Sequence, residues 1–115
     1  MILTENMLCK HFKGQDIYDK NIYRILKTNV IGASVDWANV IYSGDNDAKL
    51  SSDLVIYQNI IDGKIFAREY ADLISVLSKE KQATYNQIHR VEPLSEEEIN
   101  IVTQKEFIKT RKKHY

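Results

Sequence analysis

Residues 53–68 read DLVIYQNIIDGKIFAR, a segment typical of two antiparallel strands joined by a turn. Its β-branched and aromatic residues suit a pleated, half-buried surface. The pair Asp62-Gly63 supplies the two positive-φ residues of a type I′ turn. We therefore predict one strand over 53–61 and a returning antiparallel strand over 64–68.

Shorter apolar runs on both sides of this hairpin favour further strands. Three such strands are predicted, over residues 8–12, 21–30 and 87–92, and a weaker pattern suggests another over 38–42. Residues 43–47 form a dense cluster of turn formers and predict an exposed loop. Residues 70–77 fit either helical turns or a packed loop, and the polar segment 79–86 predicts a loop.

The C-terminal segment carries the signals of a helix start. Ser95 and Glu98 stand at the spacing of a capping box, in which each side chain accepts from a free backbone N–H of the first turn. Acidic residues follow this cap and basic residues close the chain, as the helix dipole favours. We predict one helix from residue 96 to about 112, either docked on the strands or used against a partner.

Length and composition restrict the class of protein. The 115 residues fit one domain, and Lys+Arg and Asp+Glu both number 16, so no global basic field attracts nucleic acid or a membrane. Cys9 is the single cysteine, so no intramolecular disulfide forms. The N-terminus lacks a signal-peptide pattern, and no apolar run reaches the ~20 residues of a membrane helix. We expect a cytoplasmic protein.

Four short boxes carry a family resemblance. They occupy residues 10–14 (Lys-His-Phe-Lys-Gly), 54–58 (Leu-Val-Ile-Tyr-Gln), 67–68 (Ala-Arg) and 90–91 (Arg-Val). In this order they resemble a family of small bacterial proteins known as a domain of unknown function, which has His-Phe-Lys-Gly and Val-Val-Tyr boxes. The chain departs from that pattern at Glu69, where the family usually has proline.

The resemblance implies a fold but no established activity. The fold class it implies is mainly β, a small SH3-like barrel, to which this chain adds a C-terminal α-helix. Residues 1–94 would form the barrel, with an insertion around 30–52 that is longer than the family's usual connection. Residues 95–115 would form a helical tail outside the resemblance.

The first candidate site is the His-Phe-Lys-Gly box. An unperturbed histidine has its pKa close to neutral pH, so His11 beside Lys13 could bind a phosphate or a carboxylate. The alternative is a histidine that hydrogen-bonds to the backbone at a strand end. Lys13 and Gly14 lack the other residues of a P-loop and do not indicate a nucleotide motif.

The second candidate site lies on the hairpin. If Tyr57 lies opposite Phe66, then Tyr57 and Arg68 share a face and offer a ring and a guanidinium to a ligand, with Gln58 beside them. The alternative is a structural Tyr–Arg contact that closes the barrel. Arg90 would add charge to this face, and the alternative is a salt bridge to Glu69 or Glu92.

Trp37 completes the set of candidate ligand-binding residues. It lies in the long insertion and is the best candidate for an exposed functional aromatic side chain. The full set of candidates is Tyr57, Gln58, Arg68, His11, Lys13, Arg90 and Trp37.

Catalytic and metal sites have little support in the sequence. His11, His89 and His114 are scattered and have no zinc-site spacing, so we expect neither a metal nor a cofactor. Cys9 and His11 share a strand face, but no third residue orients them, and a buried inert thiol is the commoner case. The acidic loop 43–47 lacks EF-hand spacing.

These observations favour a non-enzymatic binding module. The leading hypothesis is recognition of a protein or peptide, or self-association as a homo-oligomer, by analogy with other small barrels. The alternative is a binder of a small ligand or nucleotide phosphate that uses the Tyr/Arg face. Single-stranded nucleic acid comes third because the net charge is zero, and an enzyme comes last because no acid, base and nucleophile converge.

Overall fold

The computed structural model describes residues 2–33 and 50–112. Within these ranges the chain forms strands β1 Leu8–His11, β2 Ile22–Ala33, β3 Leu50–Asn59, β4 Ile65–Glu69 and β5 Val91–Pro93, and helices α1 Tyr70–Leu73, α2 Lys79–Tyr85, α3 Glu96–Val102 and α4 Lys105–Lys112. The predicted mainly β class is confirmed. The predicted strand over 38–42, the loop at 43–47, Trp37 and His114 lie outside the described residues.

All five strands belong to one antiparallel sheet. Their order is β4-β3-β2-β1-β5, so β2 and β3 are central and β4 and β5 form the edges. The register pairs Cys9 with Tyr23, Tyr23 with Asn59, and Tyr57 with Phe66. Within 2–33 and 50–112 the two edge strands do not pair with each other, so the sheet does not close into a barrel there.

Both faces of this sheet carry buried apolar residues, because consecutive apolar residues of β1 and β2 point to opposite faces. One face, here called the groove face, packs Cys9, Tyr23, Ile25 and Tyr57 with Leu73 of α1. The opposite face, here called the helix face, packs a second cluster of Leu8, Ile17, Ile22, Ile61, Leu94, Val102 and Phe107. The C-terminal segment, which supplies Val102 and Phe107, therefore packs on the helix face, and the sheet lies between it and the groove face.

The β3–β4 turn differs from the prediction. β3 ends at Asn59 rather than at residue 61, and only Gly63 has a positive φ, +78°, so the turn is not type I′. The Asn59 carboxamide oxygen accepts from the Ile61 N–H at 2.8 Å, and the Asn59 carbonyl accepts from the Gly63 N–H at 2.9 Å. These local bonds stabilise a wider loop, which lets Ile61 enter the core of the helix face.

The predicted loop over 79–86 is wrong, because this segment is helix α2. Ser78 caps its start, with the side-chain oxygen accepting from the Lys81 N–H at 3.3 Å. Asn86 ends the helix in the left-handed conformation, with φ of 51°. The residues between them are mostly strong helix formers, so the polar composition indicated an exposed helix and not an irregular loop.

The C-terminal helix is interrupted. The capping box of Ser95 and Glu98 is confirmed, but α3 ends at Val102 and α4 begins at Lys105. At the break the Thr103 hydroxyl donates to the Ile99 carbonyl at 2.8 Å, a bond that competes with regular helix geometry. Both helices contribute a buried residue to the helix face, so the tail docks on the sheet.

A salt bridge joins the tail to the first strand. The Lys10 ammonium lies 2.8 Å from a Glu98 carboxylate oxygen, and the other Glu98 oxygen accepts from the backbone N–H of Ser95 at 3.0 Å. Glu98 therefore fixes the start of α3 against β1.

Among the described residues, no helix has both the length and the apolar character needed to cross a lipid bilayer.

Removal of the tail's buried aromatic residue should destabilise the whole domain. Phe107 is 6 % exposed, and Phe107→Ala should lower the free energy of unfolding by about 3–5 kcal/mol because it leaves a cavity in the helix face. Glu106→Ala, at an exposed position of the same helix, should change it by about 0.5 kcal/mol or less. Urea unfolding followed by circular dichroism measures both. Equal stability of the two variants would contradict docking of the tail.

Candidate functional site

A groove of about 390 Å³ opens on the groove face of the sheet. Its volume is within the range of small-molecule sites in proteins. The residues that line it come from four strands, the β1–β2 and β3–β4 loops, α1 and the segment before β5. They are His11, Lys13, Asn21, Tyr23, Tyr57, Asn59, Asp62, Lys64, Phe66, Arg68, Asp72, Leu73 and Arg90.

Three aromatic rings form the floor of the groove. Tyr57 and Phe66 are paired across β3 and β4 and stack with their centroids 5.3 Å apart and an angle of 15° between the rings. Tyr23 meets Tyr57 edge-on at 5.0 Å and Phe66 at 5.6 Å. Tyr23 and Tyr57 are buried and Phe66 is partly exposed, so the rings support one another and Phe66 is the ring of the three with the most accessible surface.

The predicted Tyr57–Arg68 face exists. Strand alternation places Arg68 two residues from Phe66 on the same face of β4. Burial raises the pKa of the Tyr57 hydroxyl, and the Arg68 charge together with a hydrogen bond from its side chain opposes that rise. The guanidinium therefore lies at the hydroxyl end of the floor, where it can contact a ligand held against the rings.

Arg90 and Lys13 bring further positive charge to the groove. Arg90 precedes β5 and Lys13 follows β1, and both are exposed. Within the described ranges neither Arg68 nor Arg90 has a carboxylate at ion-pair distance. Two guanidinium groups that share a groove without a carboxylate partner repel each other, so an anion bound between them relieves that repulsion.

The alternative of an ion pair for Arg90 is wrong. Glu92, the nearest predicted partner, instead accepts from the backbone N–H groups of Ile88 and His89 at 3.1 and 3.0 Å. The same Glu92 oxygen lies 3.1 Å from the His89 ring nitrogen. These hydrogen bonds lower the pKa of Glu92 despite its partial burial. Glu92 thus shapes the backbone before β5 and leaves Arg90 to the groove.

His11 is neutral at pH 7, contrary to the prediction that it titrates near neutrality. Burial, together with the smaller effects of the Arg90, Lys13, Lys20 and Arg68 charges, lowers the pKa of its imidazole from 6.5 to about 4. The Lys13 N–H donates to His11 Nδ1 in a long hydrogen bond of 3.4 Å. This contact favours the tautomer with its proton on Nε2, which makes Nε2 the donor.

Two buried polar residues that the sequence did not indicate hold the cationic segments in place. The Gln87 amide nitrogen donates to the carbonyls of Lys10, His89 and Arg90 at 3.2, 2.9 and 3.4 Å. The Lys20 ammonium donates to the Phe12 carbonyl at 2.7 Å. Because these carbonyls flank His11 and Arg90, both side chains lie on a backbone that is fixed from behind.

Two further features hold the β1–β2 loop in place: a second hydrogen bond of Lys20 and a close backbone approach at Gly14. The Lys20 ammonium also donates to the Tyr85 carbonyl, at 3.2 Å, which links the β1–β2 loop to the end of α2. Gly14 has φ of +116°, and a side chain there would lie 2.9 Å from the Asp19 carbonyl carbon. Glycine is therefore required where the loop folds back over Lys20.

Five of the seven predicted ligand-binding residues line the one groove, namely His11, Lys13, Tyr57, Arg68 and Arg90. Gln58 does not line it, because its side chain alternates to the other face of β3 and donates to the Gly63 carbonyl at 2.9 Å. Trp37 lies outside the described residues. Cys9 is fully buried, and burial raises the pKa of its thiol to about 12, which disfavours a reactive thiolate.

Several groove residues were missed at the sequence level. Asn21 and Asn59 stand two positions from Tyr23 and Tyr57, so strand alternation alone would have placed both on the groove face. Their side chains meet at 3.3 Å, with Asn59 Nδ2 donating to Asn21 Oδ1. Asp72 carried no such signal, because it lies on a one-turn helix of four residues.

Comparisons with known proteins return no relative. No protein-family model matches the chain, and neither a curated protein nor a solved structure matches it. The resemblance carried by the four boxes therefore stays a prediction.

The stability of the protein should depend on pH through His11. The unfolded chain takes up a proton on His11 near pH 6.5, whereas the folded chain resists it until about pH 4, so the contribution of neutral His11 is fully present above pH 6.5 and is lost as the pH falls towards 4. We expect urea unfolding midpoints to fall between about pH 7 and about pH 5, and to fall less in His11→Gln. Equal pH dependence of the two proteins would show that His11 is not held neutral.

Proposed function

We propose that this protein is a non-enzymatic binding module whose groove holds a small molecule carrying a phosphate group. The observation that carries the proposal is that Arg68 and Arg90 line the same groove, where the charges of both act on the Tyr57 hydroxyl, with no carboxylate at ion-pair distance from either among the described residues. Lys13 and His11 add a further cation and a hydrogen-bond donor, and Phe66 adds an apolar ring.

Phosphate suits this arrangement of donors. A guanidinium presents paired N–H groups that match phosphate oxygens, and charge-assisted bonds of this kind are about twice as strong as neutral ones. Lys13 adds a third cation, and neutral His11 adds a donor at Nε2 without further repulsion. The stacked Tyr57 and Phe66 rings then offer an apolar surface to the body of the ligand.

We therefore rank binding of a small ligand above recognition of a protein or peptide. The tail, which was one candidate interface for a partner, contributes Val102 and Phe107 to the core. Single-stranded nucleic acid stays third, because Asp62 and Asp72 interrupt the positive lining of the groove and the whole chain has no net charge.

We also propose that the fold is an SH3-like barrel and that the protein is cytoplasmic. The strand order β4-β3-β2-β1-β5, with β1 between β2 and β5, supports an SH3-like barrel that is open between its edge strands. A single buried thiol at Cys9 supports a reducing, cytoplasmic environment. Phe66 and Arg68 of the edge strand β4 line the same groove as Arg90, which lies next to the other edge strand, β5.

Binding can be tested with simple phosphate compounds. Phenyl phosphate and adenosine 5′-monophosphate should raise the thermal unfolding temperature, because a ligand that binds only the folded state stabilises it. In calorimetric titrations Arg68→Gln and Arg90→Gln should each weaken binding about 10- to 100-fold, the effect of losing a hydrogen bond to a charged group of about 1.5–3 kcal/mol. Sodium chloride at equal ionic strength controls for salt effects.

The matched control is Arg24→Gln. Arg24 alternates with Tyr23 on β2 and donates to the Asn6 carbonyl, away from the groove, so its loss should leave binding unchanged. Absence of binding by both compounds, or equal weakening by Arg24→Gln, would overturn the proposal. If Arg68→Gln unfolds the protein, the contact of Arg68 with Tyr57 is structural, and exposed Arg90 still tests the groove.

A further inference from the structure

A pocket of about 290 Å³ adjoins the groove and is here called the second pocket. It lies between the β1–β2 loop, the link from α1 to α2, helix α2 and the segment before β5. Lys13 and Arg90 line both this pocket and the groove, so the two cavities are neighbours. The second pocket adds Lys81 and the hydroxyl groups of Ser75 and Ser78, which the groove does not contain.

The lining of the second pocket is positively charged. It includes Lys13, Lys81 and Arg90, and none of the described residues that line it is acidic. Over residues 2–33 and 50–112, no carboxylate lies at ion-pair distance from any of these three cations. The Lys81 ammonium lies 5.5 Å from the centroid of the buried Phe12 ring, a cation–π contact that places this charge at the pocket wall. Like charges gathered in this way favour an anion among them.

Backbone hydrogen bonds join the walls of the second pocket. The Arg90 N–H donates to the Ser75 carbonyl at 2.9 Å, and the Phe12 N–H donates to the Arg90 carbonyl at 3.0 Å. The Ser78 hydroxyl oxygen accepts from the Lys81 N–H at 3.3 Å and keeps its own hydrogen as a donor. The backbone that carries these side chains is therefore held in place, which reduces the ordering needed to bind a ligand.

We propose that the second pocket is a further anion site, and that the ligand carries phosphate groups at two separate positions, one held in the groove and one in the second pocket. Arg90 has five N–H donors, enough to contact both phosphate groups. Lys81 and Ser78 contact only the phosphate in the second pocket. This inference rests on the proposed function, to which it adds a second site, the ligand class and Lys81 as the cation that belongs to that site alone.

The test compares compounds that can reach both sites with compounds that reach one, in calorimetric titrations at constant ionic strength. One pair is adenosine 3′,5′-bisphosphate and adenosine 5′-monophosphate. The other pair is 1,4-butanediol bisphosphate and butyl phosphate, which have a flexible scaffold. In at least one pair the wild-type protein should bind the bisphosphate about 10-fold more tightly, the effect of one further hydrogen bond to a charged group. Lys81→Gln should remove most of this gain and leave the affinity for the monophosphates unchanged.

Lys79→Gln is the matched control, because Lys79 is an exposed lysine of the same helix and does not line the second pocket. It removes the same charge and should keep the gain. Equal affinity for both members of both pairs, or equal loss of the gain in Lys79→Gln and Lys81→Gln, would overturn the second site while leaving phosphate binding in the groove intact. Bisphosphate binding that survives Arg68→Gln but not Lys81→Gln would overturn the groove instead, and absence of binding by every compound would overturn both.

Discussion

The antiparallel pairing of β2 with β3 is the constraint on which the rest of the structure depends. Along β2, Ile22 faces the docked C-terminal helices and Tyr23 faces the groove. A shift of one residue in this register would exchange the two faces, burying polar groups and exposing apolar ones. The pairing of Tyr23 with Asn59, and of Ile25 with Tyr57, therefore fixes both the core and the floor of the groove.

Arg68 and Arg90 line the groove, and neither has a carboxylate at ion-pair distance within the described part of the chain. By contrast, Glu98 is paired with Lys10 and Glu92 with His89. The cations of the groove are held instead by the backbone behind them, with Gln87 and Lys20 bonding to carbonyls near His11 and Arg90. Because their backbone is held in place, these side chains would need little further ordering to bind the proposed anion.

The sequence predicted the groove wherever period-two alternation and strand pairing decide the outcome. The shared face of Tyr57 and Arg68 followed from alternation once Tyr57 was taken to lie opposite Phe66, a pairing that the structure shows. Side-chain hydrogen bonds decided the parts that were missed. The carboxamide of Asn59 widens the turn, and the Ser78 cap starts α2. The hydroxyl of Thr103 accompanies the break between α3 and α4. Such bonds depend on local geometry that composition does not reveal.

The pKa of His11 links the electrostatics of the groove to its occupancy. The charges of Arg90 and Lys13 that help to keep the imidazole neutral are the same charges that an anion would offset. If phosphate binds between them as proposed, it would remove part of this repulsion and add an acceptor beside the ring, and both effects would raise the pKa of His11. By linkage, protonation and phosphate binding then favour each other. Protonation of His11 would thus add a positive charge beside the proposed anion as the pH falls.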